Sequence, residues 1–133
     1  MKLHTLVVIA VLFTACAVVH GFPFQEGKQL NLAADGINVR VIDMYSIKPL
    51  DKELIFKAVK ETGNIVVLED HLMDGGLASV IADAFVDSGV YPKNFKRLGI
   101  PQVYAGFGSG EELRKKYGYD QTAAVAVIKK MLK

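Results

Sequence analysis

The chain holds a single cysteine, Cys16, among its 133 residues. No internal disulfide can form, and nothing demands an oxidising compartment. An excess of charge of one sign is missing too: sixteen Lys and Arg against fourteen Asp and Glu leave a net charge of +2. No long-range field therefore argues for nucleic acid or an anionic membrane. Histidines are few and scattered, at positions 4, 20 and 71, so His71 has no second imidazole near it in sequence with which to bind a metal. There is no Gly-x-Ser-x-Gly, no P-loop and no Cys/His pair. Gly and Pro occupy only sixteen positions, which excludes disordered or collagen-like architecture.

What is present is an ordinary globular composition, 51% apolar and 23% charged, in a chain of 14.5 kDa. A domain of that mass buries about two-thirds of its unfolded surface, enough for a core without disulfides or metal. The uncharged run from Thr5 to Val19 is too short for a comfortable membrane span. It reads in two other ways. With Lys2 before it and Ala15-Cys16-Ala17 after it, it has the outline of a secretory signal, or of a lipoprotein signal ending at Cys16. It also reads as the buried first strand of a parallel sheet.

The rest of the chain alternates strand and helix patterns. Ile37–Ile42, Ile65–Leu68 and Phe95–Ile100 are strand-like. Asp51 caps a helix with Leu54, Ile55, Ala58 and Val59 on one face, closed by Gly63. Leu77, Val80, Ile81, Ala84 and Phe85 form a second apolar stripe. Ser109 and Glu112 make a capping box, and Asp120 precedes a last stripe of Ala124, Val127, Ile128, Met131 and Leu132. This order predicts one three-layer α/β/α domain with a mostly parallel sheet of about five strands. A strand at Leu6–Phe13 and a helix at Phe24–Ala34 would complete a first unit, and this favours the strand reading of the N-terminal run.

Ligands of open α/β sheets gather at the carboxyl ends of the strands. Those ends are Asp43-Met44-Tyr45-Ser46, Glu69-Asp70-His71 and Gly99-Ile100-Pro101. Two carboxylates and an imidazole at Glu69-Asp70-His71 can do acid–base work. The plainer reading is a polar strand end whose histidine caps or orients the next helix. Gly75-Gly76 opens that helix; Asp74 disfavours phosphate there, so close helix–strand packing explains the glycines better. Gly106-Phe107-Gly108-Ser109-Gly110 lacks the context of a dinucleotide fingerprint and reads as a connection. Lys93, Lys96 and Arg97 form a small basic patch without an aromatic platform. Arg114-Lys115-Lys116 reads as a solvated helix face balanced by Glu111 and Glu112.

Two longer stretches say more together. Val39 to Asp51, containing Ile47-Lys48-Pro49-Leu50-Asp51, and Glu69-Asp70-His71-Leu72-Met73-Asp74-Gly75-Gly76-Leu77 resemble the C-terminal domain of transketolases. That domain is shared with deoxyxylulose-phosphate synthases and the β subunits of 2-oxo-acid dehydrogenases. The Glu-Asp-His-x-x-x-Gly-Gly pattern is closest to transketolases, including their split form with separate N- and C-terminal chains. Gly106–Leu113 and Tyr117-Gly118 resemble the family's later loop and closing helices. The similarity is specific over 36–133. Residues 1–35 diverge: Ala17 stands where the family has glycine, Pro23 and Gly27 fall in its first helix, and Asn31-Leu32 resembles an insertion.

The resemblance implies a single transketolase C-terminal-like domain over 1–133. Transketolases of the pentose phosphate pathway transfer two-carbon ketol units between sugar phosphates with thiamine diphosphate and a divalent cation such as Mg. Pyrimidine-binding and diphosphate-binding domains, across a dimer interface, hold that cofactor and cation. The resemblance implies that this chain binds neither, contributes no catalytic residue and is inert alone. It places Glu69, Asp70, His71, Gly75 and Gly76 at the active-site edge or interface, and it implies a cytoplasmic protein, with no nucleic acid or membrane partner. The alternatives are a docking module like that of a 2-oxo-acid dehydrogenase β subunit, a deoxyxylulose-phosphate-synthase-type fragment, and a secreted or lipid-anchored protein if residues 1–21 are a signal.

Overall fold

The computed structural model describes residues 4–11 as backbone, residue 32, and residues 35–132. In chain order the elements are β1 (His4–Val11), β2 (Ile37–Asp43), α1 (Lys52–Thr62), β3 (Asn64–Leu72), α2 (Leu77–Ser88), β4 (Asn94–Ile100), α3 (Gly110–Tyr117) and α4 (Gln121–Met131). The strands form one sheet in the order β2-β1-β3-β4, with every neighbouring pair parallel. About five strands were expected; the described residues supply four. The expected helix at Phe24–Ala34, the segment Ala15-Cys16-Ala17 and the departures at Pro23, Gly27 and Asn31 lie outside the described residues, apart from Leu32.

The N-terminal run forms a strand, two residues earlier than the expected Leu6–Phe13. Val7 stands opposite Arg40 on one side and Ile65 on the other, so β1 joins β2 to β3. The strand order reverses direction between β1 and β3, which puts the topological switch point of the sheet at their carboxyl ends.

Period-two alternation along β3 separates two cores. Ile65 and Val67 join Ile42, Ile55, Ala58, Ile81 and Phe85 under α1 and α2. Val66 and Leu68 join Leu32, Ile37, Leu98, Tyr119, Ala124 and Ile128 under α4. The three-layer α/β/α architecture follows. Phe85 also meets Phe95 edge-on at 5.5 Å between ring centroids, an arrangement the aromatic quadrupole favours.

The local signals place the helix ends. Asp51 Oδ1 accepts the Leu54 N–H at 3.0 Å, and Gly63 ends α1 in the left-handed conformation with φ of 67°. Asp120 Oδ1 accepts the Ala123 N–H at 2.8 Å. In α2 the buried stripe is Leu77, Ala78, Ile81, Ala84 and Phe85, so Ala78 takes the place expected for Val80. The small Ala78 can approach the end of β3, where the candidate residues lie.

Candidate functional site

Strand β3 carries Glu69-Asp70-His71 at the switch point, where Glu69 stands opposite Val11. The β3–β4 ladder is irregular there. Leu68 pairs with Leu98, but the next pairing joins Leu72 to Ile100. Glu69, Asp70 and His71 therefore face Gly99 alone, a bulge that re-aims their side chains. Gly99 permits it: a Cβ there would lie 2.9 Å from the His71 carbonyl oxygen and 3.1 Å from Glu69 Cγ.

The two carboxylates leave the strand on opposite faces. Glu69 continues the row of Ile65 and Val67 and is 2% exposed. Its Oε2 accepts the Leu77 N–H at 2.8 Å and its Oε1 the Ala78 N–H at 3.2 Å. It thereby satisfies two of the amides that every helix N-terminus leaves open. Burial pushes its carboxyl above the ordinary value of 4.5. The amides of Ala78 and Leu77, then the charges of His71 and Arg97, oppose that rise. Gly76 is the glycine this contact demands, because a Cβ there would collide with the Glu69 carboxylate and sit 2.7 Å from the Leu72 carbonyl oxygen. Gly75 adopts φ of 80°, a left-handed turn suited to glycine. Close packing explains Gly76, as expected, and the anion at this helix start is the chain's own.

Asp70 continues the other row, that of Val66 and Leu68. Its Oδ1 accepts the Tyr119 O–H at 2.8 Å, and its Oδ2 pairs with Arg114 Nη1 at 3.3 Å. Tyr119 is 1% exposed. Burial first, then the Asp70 carboxylate, drives its phenol well above the ordinary value of 10. The expectation of a solvated helix face at Arg114 is corrected: its side chain is only 19% exposed and bridges α3 to the sheet. The orienting role expected for His71 belongs to Glu69. His71 is exposed, with Nδ1 3.1 Å from the Leu72 carbonyl oxygen.

Around this hub the carboxyl edge is rich in exposed apolar side chains. Tyr45 follows β2 and is 93% exposed, while Val103, Tyr104 and Phe107 follow β4, the last two fully exposed. A hollow of about 400 Å³ lies beside Tyr45, lined by Asp43, Met44, Ser46, Pro49, Leu50, Asp51 and Leu54. Arg97, from the expected basic patch, pairs with Asp74 at 3.4 Å. The loop 106–109 ends in the expected capping box, where Glu112 Oε2 accepts the Ser109 N–H at 2.8 Å and Ser109 Oγ accepts the Glu112 N–H at 3.3 Å. Among the described residues no group of His, Cys, Asp and Glu can hold a metal ion, and no helix is long and apolar enough to cross a membrane.

The sequence profile described as "Transketolase, C-terminal domain" matches residues 29–123. The chain belongs to this family. Transketolase C-terminal domains in known proteins support the assignment from two directions. The chain is 39% identical over 100 residues to the 1-deoxy-D-xylulose-5-phosphate synthase of Heliobacterium modesticaldum, covering 75% of itself and 15% of that protein. It is 38% identical over 98 residues to one subunit of the apulose-4-phosphate transketolase of Phocaeicola vulgatus, covering 74% of itself and 30% of that subunit. Its fold superposes with a TM-score of 0.76 on a solved structure described as a split-gene transketolase, inactive beta4 tetramer. There the identity is 30%, and the match covers 98% of this chain and 40% of that one. The chain thus spans less than half the length of each of these proteins.

Proposed function

We propose that this chain is the C-terminal domain of a transketolase-like enzyme that moves two-carbon ketol units between sugar phosphates. In this reading it docks on the pyrimidine-binding and diphosphate-binding domains, within a dimeric assembly in the cytoplasm, and is inert alone. The observation that carries the reading is the carboxyl edge itself. The carboxylates of Glu69 and Asp70 are engaged in structural bonds, while Tyr45 after β2 and Tyr104 and Phe107 after β4 stand exposed beyond the carboxyl ends of the strands. Large apolar side chains gathered on one edge suit an interface. Glu69, Asp70, His71, Gly75 and Gly76 then build and support that interface.

Thiamine diphosphate with a divalent cation is the cofactor that the family implies for the whole enzyme. The described residues do not fit it. A diphosphate seeks open amides at a helix start, and here Asp51, Glu69, Glu112 and Asp120 already meet the N-termini of α1, α2, α3 and α4. Each would repel a phosphate. No step of the reaction is assigned to this chain.

A second reading, a domain of a deoxyxylulose-phosphate-synthase-type enzyme, draws on the similarity to the Heliobacterium protein. The split form, with the catalytic domains on separate chains, draws on the similarity to the Phocaeicola transketolase subunit and to a split-gene transketolase. Purified chain, mixed with a recombinant protein carrying the diphosphate- and pyrimidine-binding domains from the same organism, should comigrate with it in size-exclusion chromatography. Ketol transfer and deoxyxylulose-phosphate formation, assayed with thiamine diphosphate and magnesium, should each be absent for the chain alone. Activity of the isolated chain, or failure to comigrate, would overturn the proposal.

A further inference from the structure

The segment from Pro101 to Gly118 is built unlike the rest of the fold. None of its residues is buried; burial resumes only at Tyr119. It is nevertheless internally organised. The Gly106 N–H donates to the Tyr117 hydroxyl at 3.3 Å, and Lys116 Nζ lies 5.3 Å from the centroid of the Tyr117 ring. The Ser109–Glu112 box fixes the start of α3. Gly108 lies alongside Leu113, where a Cβ would make an ordinary contact of 3.5 Å with Leu113 Cδ2. The loop and α3 thus form one unit, folded on itself, with Tyr104 and Phe107 on its exterior.

Apart from Tyr117, which packs half-buried against the core under α4, such a unit has little apolar burial to hold it against the sheet, and segments of that kind open at low free energy. Its side-chain tie to β3 is Arg114 to Asp70 at 3.3 Å. The same carboxylate accepts the Tyr119 hydroxyl at 2.8 Å, and the Tyr119 N–H donates to the Arg114 carbonyl oxygen at 3.0 Å. Asp70 therefore holds the end of the arm at two points, one charged and one buried.

We propose that residues 101–118 are a docking arm and that Asp70 is its positioning residue, holding Tyr104 and Phe107 ready for an apolar surface on the cofactor-binding part of the enzyme. The inference rests on the docking reading above. The occupant follows from length: the chain covers 40% of its structural neighbour and 30% of the Phocaeicola subunit, so most of each such protein lies outside the matched region. A prepositioned arm loses less entropy on binding than a loose one.

Hydrogen exchange on the isolated chain tests the positioning, and binding tests the docking. Asp70→Asn keeps an acceptor for Tyr119 and loses the ion pair, while Arg114→Gln leaves the Asp70–Tyr119 bond intact. Either variant should speed exchange of the amides at 103–117 by about tenfold, with α4 and β1 unchanged. Both should weaken binding to the recombinant diphosphate- and pyrimidine-binding protein by a similar factor. Phe107→Ser should weaken binding without altering exchange. Unchanged exchange in both variants overturns the positioning role. Faster exchange with unchanged binding, or full binding by Phe107→Ser, overturns the arm as a docking surface. If the wild type binds only a second copy of itself, seen as a concentration-dependent dimer by ultracentrifugation, the assigned occupant is wrong. If it binds nothing, the docking reading fails as well.

Discussion

Glu69 offers the sharpest perturbation, because its carboxylate is buried and both oxygens are engaged. Glu69→Ala leaves the Leu77 and Ala78 N–H groups without acceptors in a buried site. An orphaned buried donor costs about 1–3 kcal/mol, so two cost about 2–6 kcal/mol, and we take roughly 3 kcal/mol. At about 4 °C per kcal/mol for a domain of this size, the Tm should fall by ~12 °C. Glu69→Gln keeps the volume and one acceptor oxygen but turns an NH2 toward the other helix N–H, so near pH 7 it should cost about 1–3 kcal/mol, less than alanine does. The pH dependence separates a buried carboxyl from a merely bonded one. Burial raises this carboxyl above 4.5, so over the interval between that value and its folded value the native protein binds the proton better than the unfolded chain. Its stabilising contribution is complete below 4.5 and is lost as pH rises through the folded value. Glutamine has nothing to titrate there. Urea unfolding should therefore show the advantage of wild type over Glu69→Gln widening as pH falls from 7 toward 4.5. A constant or narrowing difference would refute the assignment of burial as the dominant influence, and a Glu69→Ala midpoint equal to that of wild type would refute the cap.

Gly76→Ala should destabilise by about 2–3 kcal/mol through overpacking against Glu69 and the Leu72 carbonyl. Combined with Glu69→Ala, the double variant should lose less than the sum of the two single losses, because both act through one contact; strict additivity in a double-mutant cycle would count against it. Removing residues 1–17, as a leader peptidase cutting near Cys16 would, deletes the strand between β2 and β3. The truncated chain should lose cooperative unfolding in urea by circular dichroism, and a truncated chain that unfolds like wild type would show that β1 is dispensable to the sheet.

Helix starts and stops were legible because they are written within four residues. Asp51, Ser109 with Glu112, and Asp120 each cap a helix where the sequence places them. The two cores were legible from periodicity. The first strand was ambiguous, since an apolar run of that length serves a leader as well as a parallel strand. Only the requirement for a partner between β2 and β3 resolves it. Arg114 departs from expectation for a different reason. Its charge balances Glu111 and Glu112 locally, and nothing near it in sequence announces Asp70, which lies 44 residues away.

The divergence of the two carboxylates of Glu69-Asp70-His71 rests on a point the sequence did contain. Consecutive residues of a strand point to opposite faces. Ile65 and Val67 belong to one core and Val66 and Leu68 to the other, so continuing the alternation sends Glu69 toward α2 and Asp70 toward Tyr119. Glu69 and Asp70 accordingly engage different partners, the start of α2 and Tyr119. The bulge opposite Gly99 alters the pairing of the strand but not that separation. What it does is bring both carboxylates to the same level of the sheet, one holding the start of a helix and the other the root of the 101–118 arm. A single tripeptide thus couples the two outer layers at the switch point.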